Sequence, residues 1–349
     1  MNASRRLPWL ALLLAGLVLA LGAAACGGDD DDDGNGAGDT SAETDEGGEE
    51  QQFRVGLVTD IGGLNDRGFN QLAYQGLQQA ESELGVEIRV LESKSDADYI
   101  PNLQTLADEG FNLIISVGFL MQEATATAAE TYPETNFAII DAAFDPALPN
   151  AQGVLFKEQE AGYLVGYLAG LVTESGTVSS VGGQKIPPVD RFIAGFQKGA
   201  ADANAEVQTL NAYSQDFVDQ AKCKEVALDQ ISRGSDVVFQ VAGGCGLGAL
   251  DAANEESVWG IGVDADQAFL GDYVLTSAVK RVDVGVFSTI EQLVNGEFAG
   301  GETTSYGLAE DGVGMGETSA NAPQEAVDEA LAQVDAIIAG EIEIPETVD

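Results

Sequence analysis

The chain has 349 residues, of which 45% are hydrophobic, and a formal net charge of −43. It contains no histidine, which removes the commonest general base and metal ligand, so we expect neither an enzyme nor a bound metal or cofactor. Fifteen Lys and Arg against 58 Asp and Glu argue against a nucleic-acid partner, because phosphate binding requires a basic face.

The N-terminus has the order of a secretory signal. Two arginines precede an apolar run over residues 7–21, which is short for a membrane span. Cys26 directly follows three alanines and resembles the cysteine of a bacterial lipobox, although leucine is usual where Ala23 stands. We predict a lipoprotein signal peptide over 1–26, with Cys26 lipidated (palmitate is one such lipid) on the extracytoplasmic face of the cell membrane. An ordinary signal cleaved after an Ala-x-Ala site is the alternative.

Residues 27–52 form an acidic, low-complexity segment. It contains five consecutive aspartates, 11 acidic residues in all and no basic residue. Such a segment cannot bury apolar area, so we predict a disordered tether between the lipidated cysteine and the folded part.

The folded part is also strongly acidic. From Phe53 onward it has 47 acidic and 13 basic residues, a net charge near −34. Self-repulsion weakens as the Debye length falls from about 30 Å at 0.01 M salt to about 3 Å at 1 M. If the charge is an adaptation to a saline habitat, we expect the melting temperature to rise continuously from dilute buffer to molar NaCl or KCl. A flat melting temperature would leave ordinary solubility as the explanation.

From Phe53 the chain alternates β-rich runs with helical patterns, in two successive series. The first contains the predicted strands FRVGLVTD, EIRVLES, FNLIISVG and NFAIID, with helices FNQLAYQGLQQAESELG and YIPNLQTLADEG. The second contains strands GTVSSVGG, EVQTLNAY, DVVFQVAGG and VWGIGVD, with helices RFIAGFQKGAADAN, FVDQAKCKEVALDQISRG and GLGALDAANEE. Two such series predict two doubly wound α/β lobes, which bind ligands beyond the carboxyl ends of their strands.

Glycines and aspartates stand at those carboxyl ends. Each could be an ordinary turn residue, but together they predict a cleft, because glycine permits close backbone approach and carboxylates accept hydrogen bonds. The residues concerned are Asp60, Gly118, Asp141, Gly183, Gly243, Gly244 and Asp264.

An aromatic ring follows the first strand at a loop-to-helix junction, in GGLNDRGFNQL. Phe69 could be a hydrophobic staple that fixes the helix entry angle. Alternatively, its ring covers a ligand.

Seven segments carry a shared pattern: VGLVTDIGGLNDRGFNQLAYQGL, FAIIDAAF, EQEAGYLVGYLAGLV, VGGQKIPPVDRFIAGFQKGA, VAGGCGLGAL, GVDADQ and LTSAVKRVDVGV. They resemble the basic membrane protein (BMP) family of ABC-transporter substrate-binding lipoproteins, which includes purine-nucleoside receptors. The resemblance implies a type I periplasmic-binding-protein fold, with two lobes joined by a three-crossing hinge. It also implies a permease and an ATPase as partners, and we expect a monomer. The implied lobes are 53–156 with 281–303, and 157–280 with 304–349.

The resemblance also implies a site for a purine nucleoside. Phe69 is expected to stack on the base, with Asn70 and Asp141 at its edge and Asp60 beside them. The second lobe is expected to supply apolar walls and ribose contacts. These are Phe192, Phe217, Gly243, Gly244, Asp264 and Lys280, where Lys280 could also be a surface lysine.

Other functions remain open at this point. A small sugar could be the ligand, or the protein could be a sensing surface lipoprotein without a transporter. A secreted nucleoside hydrolase could use aspartates as general bases or calcium ligands, but such enzymes normally gather them in one dense cluster. The aspartates in question are Asp60, Asp66, Asp141 and Asp264.

Two cysteines remain after Cys26. Cys223 lies early in a predicted helix near the carboxyl end of the sheet, and the next strand returns Cys245 to that end. The family often has threonine where Cys245 stands. In an oxidising compartment we predict a disulfide, which could add roughly 3 kcal/mol of stability for a loop of about 20 residues.

Overall fold

The structure is a computed structural model that describes residues 52–348. The predicted signal peptide, Cys26 and nearly all of the tether lie outside these residues. Across 52–348, no helix is both long and apolar enough to cross a bilayer.

Twelve strands form the framework of the fold. They are β1 (Arg54–Ile61), β2 (Glu87–Ser93), β3 (Leu113–Val117), β4 (Asn136–Ile140), β5 (Ala151–Phe156), β6 (Thr177–Gly182), β7 (Gln208–Tyr213), β8 (Val237–Val241), β9 (Trp259–Asp264), β10 (Val274–Lys280), β11 (Thr303–Tyr306) and β12 (Val313–Met315).

Ten α-helices connect and cover the strands. They are α1 (Phe69–Leu84), α2 (Tyr99–Asp108), α3 (Gln122–Thr131), α4 (Glu158–Val172), α5 (Pro187–Ala203), α6 (Gln220–Ser232), α7 (Gly243–Glu255), α8 (Val282–Val294), α9 (Gln324–Leu331) and α10 (Val334–Ile338).

The strands form two six-stranded sheets, which confirms the predicted pair of doubly wound α/β units. The first sheet has the order β11-β5-β4-β3-β1-β2, and all of its pairs are parallel. The second has the order β12-β10-β9-β8-β6-β7, and only β12 is antiparallel to its neighbour. We call each sheet with its helices a lobe. In both lobes the strand order reverses next to the first strand, which creates a crevice at the carboxyl ends.

The chain passes between the sheets three times, after β5, after β10 and after β11. Helix α8 packs on α1 of the first lobe, where a Cβ added at Gly76 would overlap the Asp283 carbonyl. The lobe limits remain a proposal, and β11 places the third crossing after Tyr306 rather than at 303.

Helices α4 and α5 of the second lobe are in unusually close contact. A Cβ added at Gly162 or Gly166 would overlap a backbone carbonyl of α5, and one at Gly195 or Gly199 would overlap a carbonyl of α4. The two backbones touch because glycines spaced four residues apart leave no side chain between them. Overpacking typically costs about 1–3 kcal/mol and occasionally more. Because the overlapping atoms here are backbone carbonyls, which cannot turn aside as a flexible side chain does, we expect the cost of a larger residue at this contact to lie above that range.

Cys223 and Cys245 form a disulfide between α6 and α7 of the second lobe, with their Cα atoms 5.6 Å apart. Both residues are fully buried. The Cys245 N–H donates to the Phe217 carbonyl at 3.0 Å. The bond therefore lies directly behind a loop that borders the crevice.

Candidate functional site

One cleft lies where the crevices of the two sheets face each other. Its space is about 600 Å³, counting the part open to solvent. The structure brings together all ten predicted ligand residues in its lining. They are Asp60, Phe69, Asn70, Asp141, Phe192, Phe217, Gly243, Gly244, Asp264 and Lys280.

Asp60 reaches the cleft from an irregularity in β1. The pairing register with β2 shifts between Thr59 and Ile61, so Asp60 occupies a bulge, a feature that often redirects a side chain near a site. The Asn70 side-chain amide donates to the Asp60 carboxyl at 3.0 Å. The Asn70 Oδ1 atom remains buried without a hydrogen-bond partner among the described residues. The site thus contains a buried acceptor that a ligand could satisfy.

The loop before α1 is held by Asp66. Its carboxylate accepts three backbone N–H groups, those of Gly68, Asn70 and Gln71, at 2.8–3.1 Å. Phe69 is the first residue of α1, whereas a hydrophobic staple uses the residue before the N-cap. Phe69 therefore faces the cleft as part of a fixed turn and is not a staple.

A buried ion-pair cluster joins the two sheets at the cleft floor. The Lys280 ammonium at the end of β10 lies 2.6 Å from the Asp141 carboxylate and 2.9 Å from that of Glu158. Glu158 also pairs with Arg191 of α5 at 2.5 Å. Burial lowers the pKa of Lys280, but the attraction of Asp141, Glu158 and Asp264 outweighs it and holds the pKa above its usual value. Lys280 is a buried cation and not the surface lysine of the alternative.

Three phenyl rings surround the same ammonium. The Lys280 Nζ atom lies 4.9 Å from the ring centre of Phe69, 5.2 Å from that of Phe156 and 5.9 Å from that of Phe192. Cation–π attraction is stronger at desolvated positions such as this one. The lysine therefore helps to orient the aromatic walls of the cleft.

Asp141 and Asp264 occupy equivalent positions in the two sheets. Asp141 follows β4 and Asp264 ends β9, and both have left-handed backbones, with φ of 72° and 63°. Such conformations cost about 1–3 kcal/mol for non-glycine residues and cluster at functional sites. Burial raises the pKa of Asp264 to about 7, although Lys280 lowers it. The Asp141 Oδ1 atom is another buried acceptor without a partner in the described chain.

The second lobe supplies the opposite wall. Phe192 of α5 is buried and packs edge-on against Phe239 of β8, with the ring centres 6.2 Å apart. Phe217 lies in the loop after β7, beside the glycines that begin α7. A Cβ at Gly243 or Gly244 would lie 3.5 Å from the Phe217 carbonyl, an ordinary contact distance, and Gly243 has a left-handed backbone with φ of 52°, which favours glycine.

Sequence reasoning missed Glu158 and Arg191. The signal was present in KEQEAGYLVG, where carboxylates stand beside an apolar helix without any solvent-exposed face. The four aspartates of the hydrolase alternative do line the cleft. Within 52–348, however, no group of three metal-ligating side chains could hold an ion.

The raised pKa of Asp60 gives a prediction for stability. Burial raises this pKa to about 8, although Asn70 lowers it. The folded protein therefore holds this proton more tightly than the unfolded chain does. This contribution to folding stability is complete below the unfolded pKa, declines as the pH rises above it, and is gone once the pH has passed about 8. Relative to Asp60→Asn, the wild type should lose up to ~1.4 kcal/mol per pH unit between about pH 5 and pH 8. Urea unfolding at several pH values measures this. The exposed Asp96→Asn is the control, and an equal pH dependence in both variants would contradict the prediction.

Comparison with known proteins supports these observations. The family model described as ABC transporter substrate-binding protein PnrA-like (Bmp) matches residues 53–348. A protein named ABC transporter nucleoside-binding protein BmpA, from Lactococcus lactis, is 34% identical over 84% of this chain and 89% of its own. An uncharacterized lipoprotein of Pyrococcus horikoshii is 35% identical over 78% of this chain and 71% of its own.

A solved structure shows the same architecture. The ABC transporter solute-binding protein from Aeropyrum pernix K1 superposes with a TM-score of 0.76, at 30% identity, over 85% of this chain and 94% of that one. This confirms the type I periplasmic-binding-protein fold. The chain belongs to the Bmp family and is an ABC transporter substrate-binding protein.

Proposed function

We propose that the protein is a lipid-anchored, extracytoplasmic receptor that binds a purine nucleoside and delivers it to an ABC importer. The observation that supports this best is the combination, in one cleft, of aromatic walls with buried acceptors and an unpaired carboxylate. A flat heterocycle can stack on the aromatic walls and donate to the buried acceptors, and a vicinal diol can donate to the carboxylate.

The first lobe suits the base. The Phe69 ring offers a stacking surface, and offset stacking contributes about 0.5–1.5 kcal/mol beyond area burial. The Asn70 Oδ1 and Asp141 Oδ1 atoms are buried and unpartnered. An unsatisfied buried acceptor costs about 1–3 kcal/mol, so a ligand with N–H groups on its ring edge relieves that cost.

The second lobe suits the ribose. Among the described residues the Asp264 carboxylate has no side-chain hydrogen bond within the chain and therefore accepts from ligand hydroxyls. Lys280 uses two of its three N–H donors on Asp141 and Glu158, which leaves one for a ligand. Backbone groups at Gly243 and Gly244 complete this side.

The names of two relatives and the N-terminal sequence support the proposed anchor and partners. The Lactococcus relative is named as a nucleoside-binding protein and the Pyrococcus relative as a lipoprotein. Cys26 is the residue proposed to bear the lipid, and a permease with its ATPase are the proposed partners of a monomeric receptor.

Calorimetry with inosine and hypoxanthine tests the ligand assignment. Asp264→Asn should weaken inosine at least tenfold and hypoxanthine much less, because only the nucleoside has ribose hydroxyls. Asp266→Asn, two residues away and exposed, is the matched control. Equal losses for the two ligands would refute the ribose contact, and no binding of either ligand by the wild type would refute the proposed nucleoside receptor.

A further inference from the structure

Gln267 connects the second sheet to the ligand loop of the opposite lobe. It follows β9, and only 1% of its surface is exposed. Its side-chain Nε2 donates to the carbonyl of Arg67 at 3.2 Å, across a sequence separation of 200 residues. Arg67 lies between Asp66, whose carboxylate accepts backbone N–H groups from the first turn of α1, and the segment that contains Phe69.

A chain of hydrogen bonds fixes the orientation of this amide. The backbone N–H of Ala242 can only donate, so it fixes the Gln240 Oε1 atom at 3.1 Å. The Gln240 Nε2 atom then donates to Gln267 Oε1 at 2.9 Å, as does the Val263 N–H at 3.3 Å. Since Oε1 is thereby assigned, Nε2 is the atom left to face Arg67. The Gln267 Nε2 donor is therefore held in its orientation by residues of the second lobe alone.

The two lobes are close at the same place. A Cβ added at Gly68 would lie 3.7 Å from the Asp264 Oδ2 atom. The Arg67 guanidinium lies 5.9 Å from the ring centre of Phe269 in the second lobe. Arg67 itself has a left-handed backbone, with φ of 56°, so its carbonyl direction depends on a constrained turn. Moving the lobes apart would break the bond from Gln267.

We propose that Gln267 is a positioning residue that couples cleft closure to the loop bearing Phe69 and Asn70. It touches no ligand in this role. Its amide joins the opposite lobe only when the cleft is closed, and there it fixes the turn that presents the base-contacting side chains. The inference extends the proposed nucleoside site, because it names what holds that site closed.

Gln267→Glu tests the proposal with little change of shape. A carboxylate still accepts from Gln240 and Val263 but cannot donate to the Arg67 carbonyl. We expect inosine to dissociate at least tenfold faster, with the association rate within about twofold of wild type, because Gln267→Glu loses this hydrogen bond and also buries an unpaired carboxylate against the Arg67 carbonyl. The control is Gln78→Glu, which adds the same charge at an exposed position of α1. Gln267→Met is the second variant if the first does not fold.

Small-angle X-ray scattering without ligand makes the test independent of the ligand's identity. Both Gln267 variants should have a larger radius of gyration than wild type, and Gln78→Glu should not. A purely structural role would lower the melting temperature without changing the dissociation rate or the radius. Wild-type values for both quantities in the Gln267 variants would overturn the proposal. Failure of wild-type protein to bind inosine would refute the nucleoside assignment, and scattering would then decide the role of Gln267.

Discussion

Replacing Lys280 with methionine should destabilise the protein by about 3–5 kcal/mol, because it leaves buried carboxylates without their cation. The side chains of Lys280, Asp141 and Glu158 are at most 6% exposed. Their pairing therefore has little solvent screening, unlike that of an exposed ion pair. Urea unfolding of the ligand-free protein measures the change.

The adjacent Arg281→Met is the matched control for this variant. Arg281 pairs with Asp283 at the surface, with 44% of its side chain exposed, and should lose at most about 1 kcal/mol. Adding Asp141→Asn to Lys280→Met should recover part of the loss, since one buried charge is removed. A loss below about 1 kcal/mol for Lys280→Met would show that the cluster does not stabilise the fold.

Phe69→Ala should weaken nucleoside binding by about 2–4 kcal/mol, or roughly 30-fold to 1000-fold in Kd. The variant loses the stacking surface proposed for the ligand and also one of the rings beside the Lys280 ammonium. Titration calorimetry with inosine measures the change. Phe69→Trp keeps an aromatic face and should retain most of the affinity.

Phe298→Ala is the control for Phe69→Ala, because the same truncation then occurs at a half-buried ring outside the cleft lining. It should lower stability and leave the Kd unchanged. If both truncations weaken binding equally, the effect is general destabilisation, and Phe69 does not stack on the ligand.

The cleft could be predicted because its carboxylate side chains lie at the carboxyl ends of strands. Asp60, Asp141 and Asp264 each end an apolar run, and parallel strands bring such ends to one edge. Strand β2 was predicted to the residue for a similar local reason, since EIRVLES lies between a helix-ending glycine and a polar turn.

The remaining parts depend on contacts between distant residues. Glu158 and Lys280 are 122 positions apart, and nothing in either local pattern indicates their pairing. Helix α4 was not predicted because it is buried on nearly all sides, so it lacks the polar face that marks an amphipathic helix. Helix α5 begins at Pro187, four residues earlier than predicted, since proline is favoured in a first helical turn.

The glycine contact between α4 and α5 affects how substitution patterns in this chain are interpreted. Gly166 and Gly199 face neighbouring backbone and lie outside the cleft lining, yet almost any replacement there should prevent the lobe from assembling. In a saturation-mutagenesis screen for uptake, these positions should score as severely as Phe69. Intolerance to substitution therefore does not distinguish ligand contacts from helix contacts in this protein, and only binding measured on folded variants separates them.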